Sequence, residues 1–126
     1  MFREAYIYGL TLPDSVTSIG TNAFYVQNTT DFNVNRMSNA ITTMGSNSFR
    51  YPVFKTDVTF TQLEFKESVC FSNATYEGKL DLSNNISSTS TFYAIQFGIK
   101  YCNELYLPQN KYSYSGGWSG INKLYI

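Results

Sequence analysis

Residues 10–24 read Leu10-Thr11-Leu12-Pro13-Asp14-Ser15-Val16-Thr17-Ser18-Ile19-Gly20-Thr21-Asn22-Ala23-Phe24. The second half of that stretch returns 25 residues later as Ile41-Thr42-Thr43-Met44-Gly45-Ser46-Asn47-Ser48-Phe49. Apolar, glycine, asparagine, small and phenylalanine positions all coincide. A unit of this length cannot bury an apolar face by itself, so its recurrence implies coils that stack on one another.

Two markers extend the period along the chain. Apolar-x-apolar triplets fall at Leu10-Thr11-Leu12, Phe32-Asn33-Val34, Val58-Thr59-Phe60, Leu80-Asp81-Leu82, Leu105-Tyr106-Leu107 and Leu124-Tyr125-Ile126, spaced 22, 26, 22, 25 and 19 residues apart. A phenylalanine precedes each of the first five: Phe2, Phe24, Phe49, Phe71 and Phe97. Alternation within a triplet predicts a short strand, and consecutive coils set such strands side by side in a parallel sheet. The phenylalanines form an aromatic spine on the far wall, and Val16, Ile41, Leu63 and Ile86 a further inward ladder. The expected fold is a mainly β solenoid with about six short strands and about five coils of 22–26 residues. It makes one domain over 1–126, with recognisable repeats over 1–110 and a degenerate, turn-rich unit over 111–126. The return segments are too short and too rich in Ser, Thr, Asn and Gly for an amphipathic helix.

The resemblance these residues carry is to the BspA-like class of leucine-rich repeat, which reads roughly L-x-I-P-x-S-V-x-x-I-G-x-x-A-F. Residues 10–24 match it closely, residues 32–49 are a looser copy, and Tyr101-Cys102-Asn103-Glu104-Leu105-Tyr106-Leu107-Pro108 resembles the junction between repeats. The third repeat carries Phe65-Lys66-Glu67 where the Ile-Gly turn belongs. The resemblance implies a leucine-rich-repeat solenoid, an extracellular or cell-surface location, and a role in adhesion or protein binding. A virion, fibre or surface-layer subunit is the alternative expectation.

Composition narrows the function classes. Nine basic and nine acidic residues balance and lie scattered, so no field steers the chain toward nucleic acid or an anionic membrane. No stretch reaches the roughly 18 apolar residues of a membrane span, and Met1–Leu10 lack the apolar run of a signal peptide. Histidine is absent, which removes Ser-His-Asp and Cys-His catalysis and, with no CxxC pair, makes a zinc site a poor expectation. No phosphate-binding or dinucleotide fingerprint occurs. The expectation is a non-enzymatic chain without cofactor. Asp31 and Asp57 precede adjacent triplets and read as two solvated acids rather than a catalytic or calcium-binding pair. Cys70 and Cys102 read as buried thiols, Cys70 a small inward filler ahead of Phe71.

A ligand, protein or glycan, is expected on the exposed strand face, where stacking turns outward positions into a rigid array. The outward column reads Thr11, Asn33, Thr59, Asp81, Tyr106 and Tyr125, and the flanking column Gly9, Asp31, Asp57, Lys79, Glu104 and Lys123. The tyrosine-bearing end is the candidate patch, because a rigid amphipathic ring gives large contact area at low entropic cost. Self-association through the terminal coils is the other expected contact, an open parallel edge being adhesive.

Overall fold

The computed structural model describes residues 9–25, 32–86, 91–108, 113–115 and 119–126. Its strands are β1 (Leu10–Thr11), β2 (Ser18–Ile19), β3 (Phe32–Arg36), β4 (Thr43–Met44), β5 (Phe49–Arg50), β6 (Pro52–Phe54) and β7 (Val58–Thr59). They continue with β8 (Phe71–Ser72), β9 (Ala74–Asp81), β10 (Thr91–Tyr93), β11 (Ile99–Tyr106), β12 (Ser113–Ser115) and β13 (Ile121–Tyr125), and one helical turn, α1 (Ala94–Phe97), precedes β11. Every strand pairing among the described residues is parallel. The main sheet runs β1-β3-β6-β9-β11-β13, with β7 also on β9, so β6 and β7 are two halves of one interrupted rung. Six rungs result, as the sequence implies, and the chain is a parallel β-solenoid of about four turns. Phe2 and Asp31 lie outside the described residues.

Phenylalanines hold the far wall. Phe24 and Phe49 stack at 5.1 Å, Phe49 and Phe71 at 5.3 Å, and Phe71 and Phe97 at 6.0 Å between ring centroids, all within 25° of parallel. Backbone bonds keep the same step, Phe24 N donating to Ser48 O and Phe49 N to Cys70 O. Such pairs add roughly 0.5–1.5 kcal/mol each beyond the area they bury. The repeated asparagine of the motif also has a backbone cause: Asn22 and Asn47 both hold a positive φ, of 58° and 54°, a conformation that asparagine tolerates better than most residues. Gly98 answers a stricter demand. It ends α1 at φ 47°, and a side chain there would collide with the carbonyl oxygen of Phe71 in the coil beneath.

Two expectations are corrected. The triplet Phe32-Asn33-Val34 is not in line with its neighbours. Leu10 pairs with Val34, Thr11 with Arg36 across a bulge, and Val34 with Phe54, while Leu12 N donates to Arg36 O. Beyond the bulge the offset becomes the 25 shown by the middle of the repeat, so that Thr11-Leu12 correspond to Arg36-Met37 while Leu10 faces Val34, and Met37 is buried accordingly. Alternation along the five-residue β3 fits two positions equally well, and the apolar pattern selected the wrong one. The ladder of Val16, Ile41 and Leu63 likewise does not continue to Ile86, which is 74% exposed. Asn85 takes the inward place at 4% exposure and donates from Nδ2 to Leu63 O at 3.2 Å. Register rather than hydrophobicity decides this: Phe60 and Leu63 are three residues apart, and so are Leu82 and Asn85.

The irregular third repeat is held by a side chain from the next coil. Gln96 is fully buried. Its Oε1 accepts from Lys66 N at 2.9 Å and its Nε2 donates to Glu64 O at 3.0 Å. It thus supplies both bonds that a regular strand pair would have made where the Ile-Gly turn is missing. Removing it leaves a part-buried donor, the Lys66 amide, and a part-buried acceptor, the Glu64 carbonyl, without this partner, each costing about 1–3 kcal/mol. Gln96→Ala should lower the unfolding free energy by about 2–4 kcal/mol in a urea titration, whereas Ile86→Ala should stay within about 0.5 kcal/mol of the parent.

Candidate binding face

Four of the sequence-predicted outward residues form one column. Thr59 pairs with Asp81, Asp81 with Tyr106, and Tyr106 with Tyr125, on β7, β9, β11 and β13 in turn. Asn33 does not join them. The shifted register of β3 sets it opposite Val53, in a second outward column that continues through Thr75 to Tyr101. Arg36 stands across from Thr11 instead. Its Nη1 donates to Leu12 O at 2.8 Å and its Nη2 forms an ion pair with Asp14 at 2.9 Å. Asp14 also accepts from Asn39 N, and that backbone bond, with Arg36 second, holds its carboxyl below the usual range. The 25-residue offset of the motif was the signal that pointed to Arg36.

The flanking column is ordered by the same stacking. Glu104 pairs with Lys79 on one side and Lys123 on the other. Asp57 sits one rung earlier, and its Oδ1 accepts from Lys79 N at 2.9 Å. Gly78 makes room for this contact, because a side chain there would run into the Asp57 carboxylate. Asp57 is thus engaged in backbone pairing at the interrupted rung. Asp81 is similarly occupied, accepting from both the N and Oγ of Ser83 at 2.9 and 2.6 Å and fixing the turn that follows β9.

Free recognition capacity is concentrated at the tyrosine end. The Tyr106 and Tyr125 rings stack at 4.5 Å and 12°, and Lys79 Nζ lies 5.4 Å from the Tyr106 ring centroid. Loss of solvent around the ring, then the nearby Glu104, raise the Tyr106 phenol above its ordinary pKa. Sequence reasoning missed the adjoining group: Tyr101 donates to Asn103 Oδ1 at 3.4 Å, and Asn122 Nδ2 donates to the same oxygen at 3.1 Å. Rigid aromatic rings flanked by amides and by charges of both signs can bind a ligand by contact area and hydrogen bonding. Nothing in this set is arranged as a nucleophile with its base.

Elsewhere the chemistry is sparse. Among the described residues no three His, Cys, Asp or Glu side chains gather so as to hold a metal ion, and no helix is long and apolar enough to cross a membrane. A shallow groove between coils, away from the sheet face, is lined by Val69, Phe71, Asn73, Ala94 and Ile95 among others, without an ionisable group. Cys70 and Cys102 are both buried free thiols. Cys102 donates to Glu104 O at 3.4 Å. Protein-family models, curated proteins and solved structures were compared with the chain, and none matches.

Burial pushes the Cys102 thiol up to about 11 from its ordinary 9.0. A raised folded-state pKa leaves the stabilising contribution intact below pH 9 and removes it as pH rises toward 11, because the unfolded chain ionises first. Unfolding free energy should therefore decline across that window, and Cys102→Ala should flatten the decline. An unchanged slope in urea titrations from pH 8 to 11 would refute the assignment.

Proposed function

We propose that the chain is a leucine-rich-repeat solenoid of the BspA-like class that acts as a non-enzymatic binding or adhesion module. In this reading it is displayed at a cell surface or secreted, and takes a protein or glycan ligand on the sheet face. The observation that carries the reading is the stacked Tyr106–Tyr125 pair with the Lys79 ammonium 5.4 Å from the Tyr106 ring. Two rings held rigid by their own strands bind without the ordering cost that flexible side chains incur. Thr59 and Asp81 extend the column toward the middle of the sheet, with Lys79, Glu104 and Lys123 beside it; Asp57 braces Lys79 from behind, and Asn33 lies in the second outward column. The repeat motif of residues 10–24 supports the class, and the class supports the surface location by fold-level analogy alone.

The test is binding of the labelled chain to immobilised extracellular-matrix glycoproteins and a glycan array. Against any probe that the parent retains, Tyr106→Ala combined with Tyr125→Ala should weaken binding by at least about thirtyfold, the loss expected of a hot-spot pair. Retention at parental strength would exclude this face. Asp81→Ala is the less clean variant, since it also releases the Ser83 turn.

A second reading has its own observation. Leu124 is 46% exposed beside the outer edge of β13, which suits a subunit of a virion, fibre or surface layer joining end to end. Light scattering over a concentration series separates the two: a constant mass near 14.3 kDa favours the binding module, and a growing polymer abolished by Ile126→Lys favours assembly.

A further inference from the structure

One ring on the sheet face has no ring against it. Tyr101, on β11, is 41% exposed. Among the described residues it stacks on no other aromatic group, in contrast to Tyr106, which lies against Tyr125. Its neighbours across the sheet are small. Thr75 pairs with it from β9. On the other side the chain enters β13 through Gly120, whose carbonyl oxygen accepts from Cys102 N. Backbone geometry demands the glycine: its φ is 74°, and a Cβ would strike the Lys100 carbonyl oxygen. Bare backbone therefore flanks the ring on that side. The ring is also tied in place, because its hydroxyl donates to Asn103 Oδ1, which accepts from Asn122 Nδ2 as well. Asn103 keeps its Nδ2 donor, and Thr75 its hydroxyl, without a partner among the described residues. Tyr101, Thr75 and Asn103 all stand on β9 and β11, rungs that are paired on both sides.

We propose that Tyr101 is the platform for one sugar ring of a glycan, with the Asn103 amide and the Thr75 hydroxyl bonded to that sugar's hydroxyl groups. The inference rests on the ligand-face reading and names its ligand class, a saccharide rather than a protein. A C–H on a carbon that carries oxygen is partially positive and is drawn to the negative face of an aromatic ring. A pyranose offers several such C–H groups on one flat side, and around its rim hydroxyls that both donate and accept. An accessible ring with a free amide donor and a free hydroxyl beside it answers both features. The anchor of a protein partner calls for something else, a desolvated pocket that an aromatic or arginine side chain fills. The groove lined by Phe71 and Ile95 lies away from this face, so Tyr101 stands on open sheet. Tyr106 follows five residues further along β11, roughly 13–17 Å of extended strand, a span that an oligosaccharide of a few rings covers.

The experiment presents the full chain to an array of uncharged oligosaccharides and then titrates the strongest binder, as the soluble sugar, into the ¹⁵N-labelled chain. Saturable shifts are expected at the amides of Tyr101, Asn103 and Thr75. Tyr101→Ala should weaken binding at least about tenfold, the loss of one stacked ring, and Tyr101→Phe, which keeps the ring, should stay within about threefold of the parent. The phenylalanine variant also separates lost stacking from a disturbed coil, since both variants remove the bond to Asn103. Binding that Tyr101→Ala leaves unchanged, or that Tyr101→Phe loses as fully as Tyr101→Ala, would overturn the proposal, as would an array on which no uncharged sugar is retained. Enzymatically deglycosylated matrix proteins separate this inference from the reading beneath it. If they bind as tightly as the intact glycoproteins, and the Tyr106→Ala, Tyr125→Ala double variant abolishes that binding, the face is a protein-binding surface and the saccharide assignment falls alone.

Discussion

No single coil of this chain can cover its own apolar residues, and the hydrogen-bonded step from each coil to the next is the constraint on which everything else rests. The stacked rings of Phe24, Phe49, Phe71 and Phe97 make the point concretely. Each inner ring is buried by those above and below it, so its burial is a property of the stack. The same step carries backbone bonds on the opposite wall, and the two walls agree only if each coil contributes the right number of residues between them. Where the number differs, something local absorbs it: a bulge at Leu10/Thr11, an interruption between β6 and β7, and two register shifts between β9 and β11.

Those irregularities decide which side chains become neighbours. The break between β6 and β7 brings Asp57 onto the Lys79 amide and makes a glycine necessary at position 78. The missing Ile-Gly turn of the third repeat is made good by Gln96 reaching back from the next coil. Polar groups inside the solenoid (Gln96, Asn85) sit where the apolar pattern of the repeat breaks and supply bonds to backbone groups of the neighbouring coil. Stability and the layout of the face are therefore coupled through single residues.

For function, the consequence is a gradient along the sheet. Acidic residues toward its middle, Asp57 and Asp81, are engaged in holding turns and rungs. At the β11–β13 end the tyrosines, the Asn103–Asn122 pair and the alternating charges have fewer structural partners.

The sequence by itself determined the solenoid. Its period, the phenylalanine spine, the six-rung parallel sheet, the lack of any substantial helix and the column from Thr59 to Tyr125 all follow from spacing, because identical side chains at a fixed step can be buried only by stacking. Only the tertiary structure decided the register of the second coil, and with it that Asn33 lies outside the column while Arg36 stands against Thr11. Alternating apolar residues define a face but not a position along it, and the bulge that brings Arg36 rather than Asn35 opposite Thr11 leaves no mark in the alternation. Tertiary packing likewise chose Asn85 over Ile86 for the core and gave Gln96 its task. In both cases a hydrogen bond to a carbonyl 22 or 32 residues away outweighed hydrophobicity, and a partner at that distance is visible only once the coils are stacked.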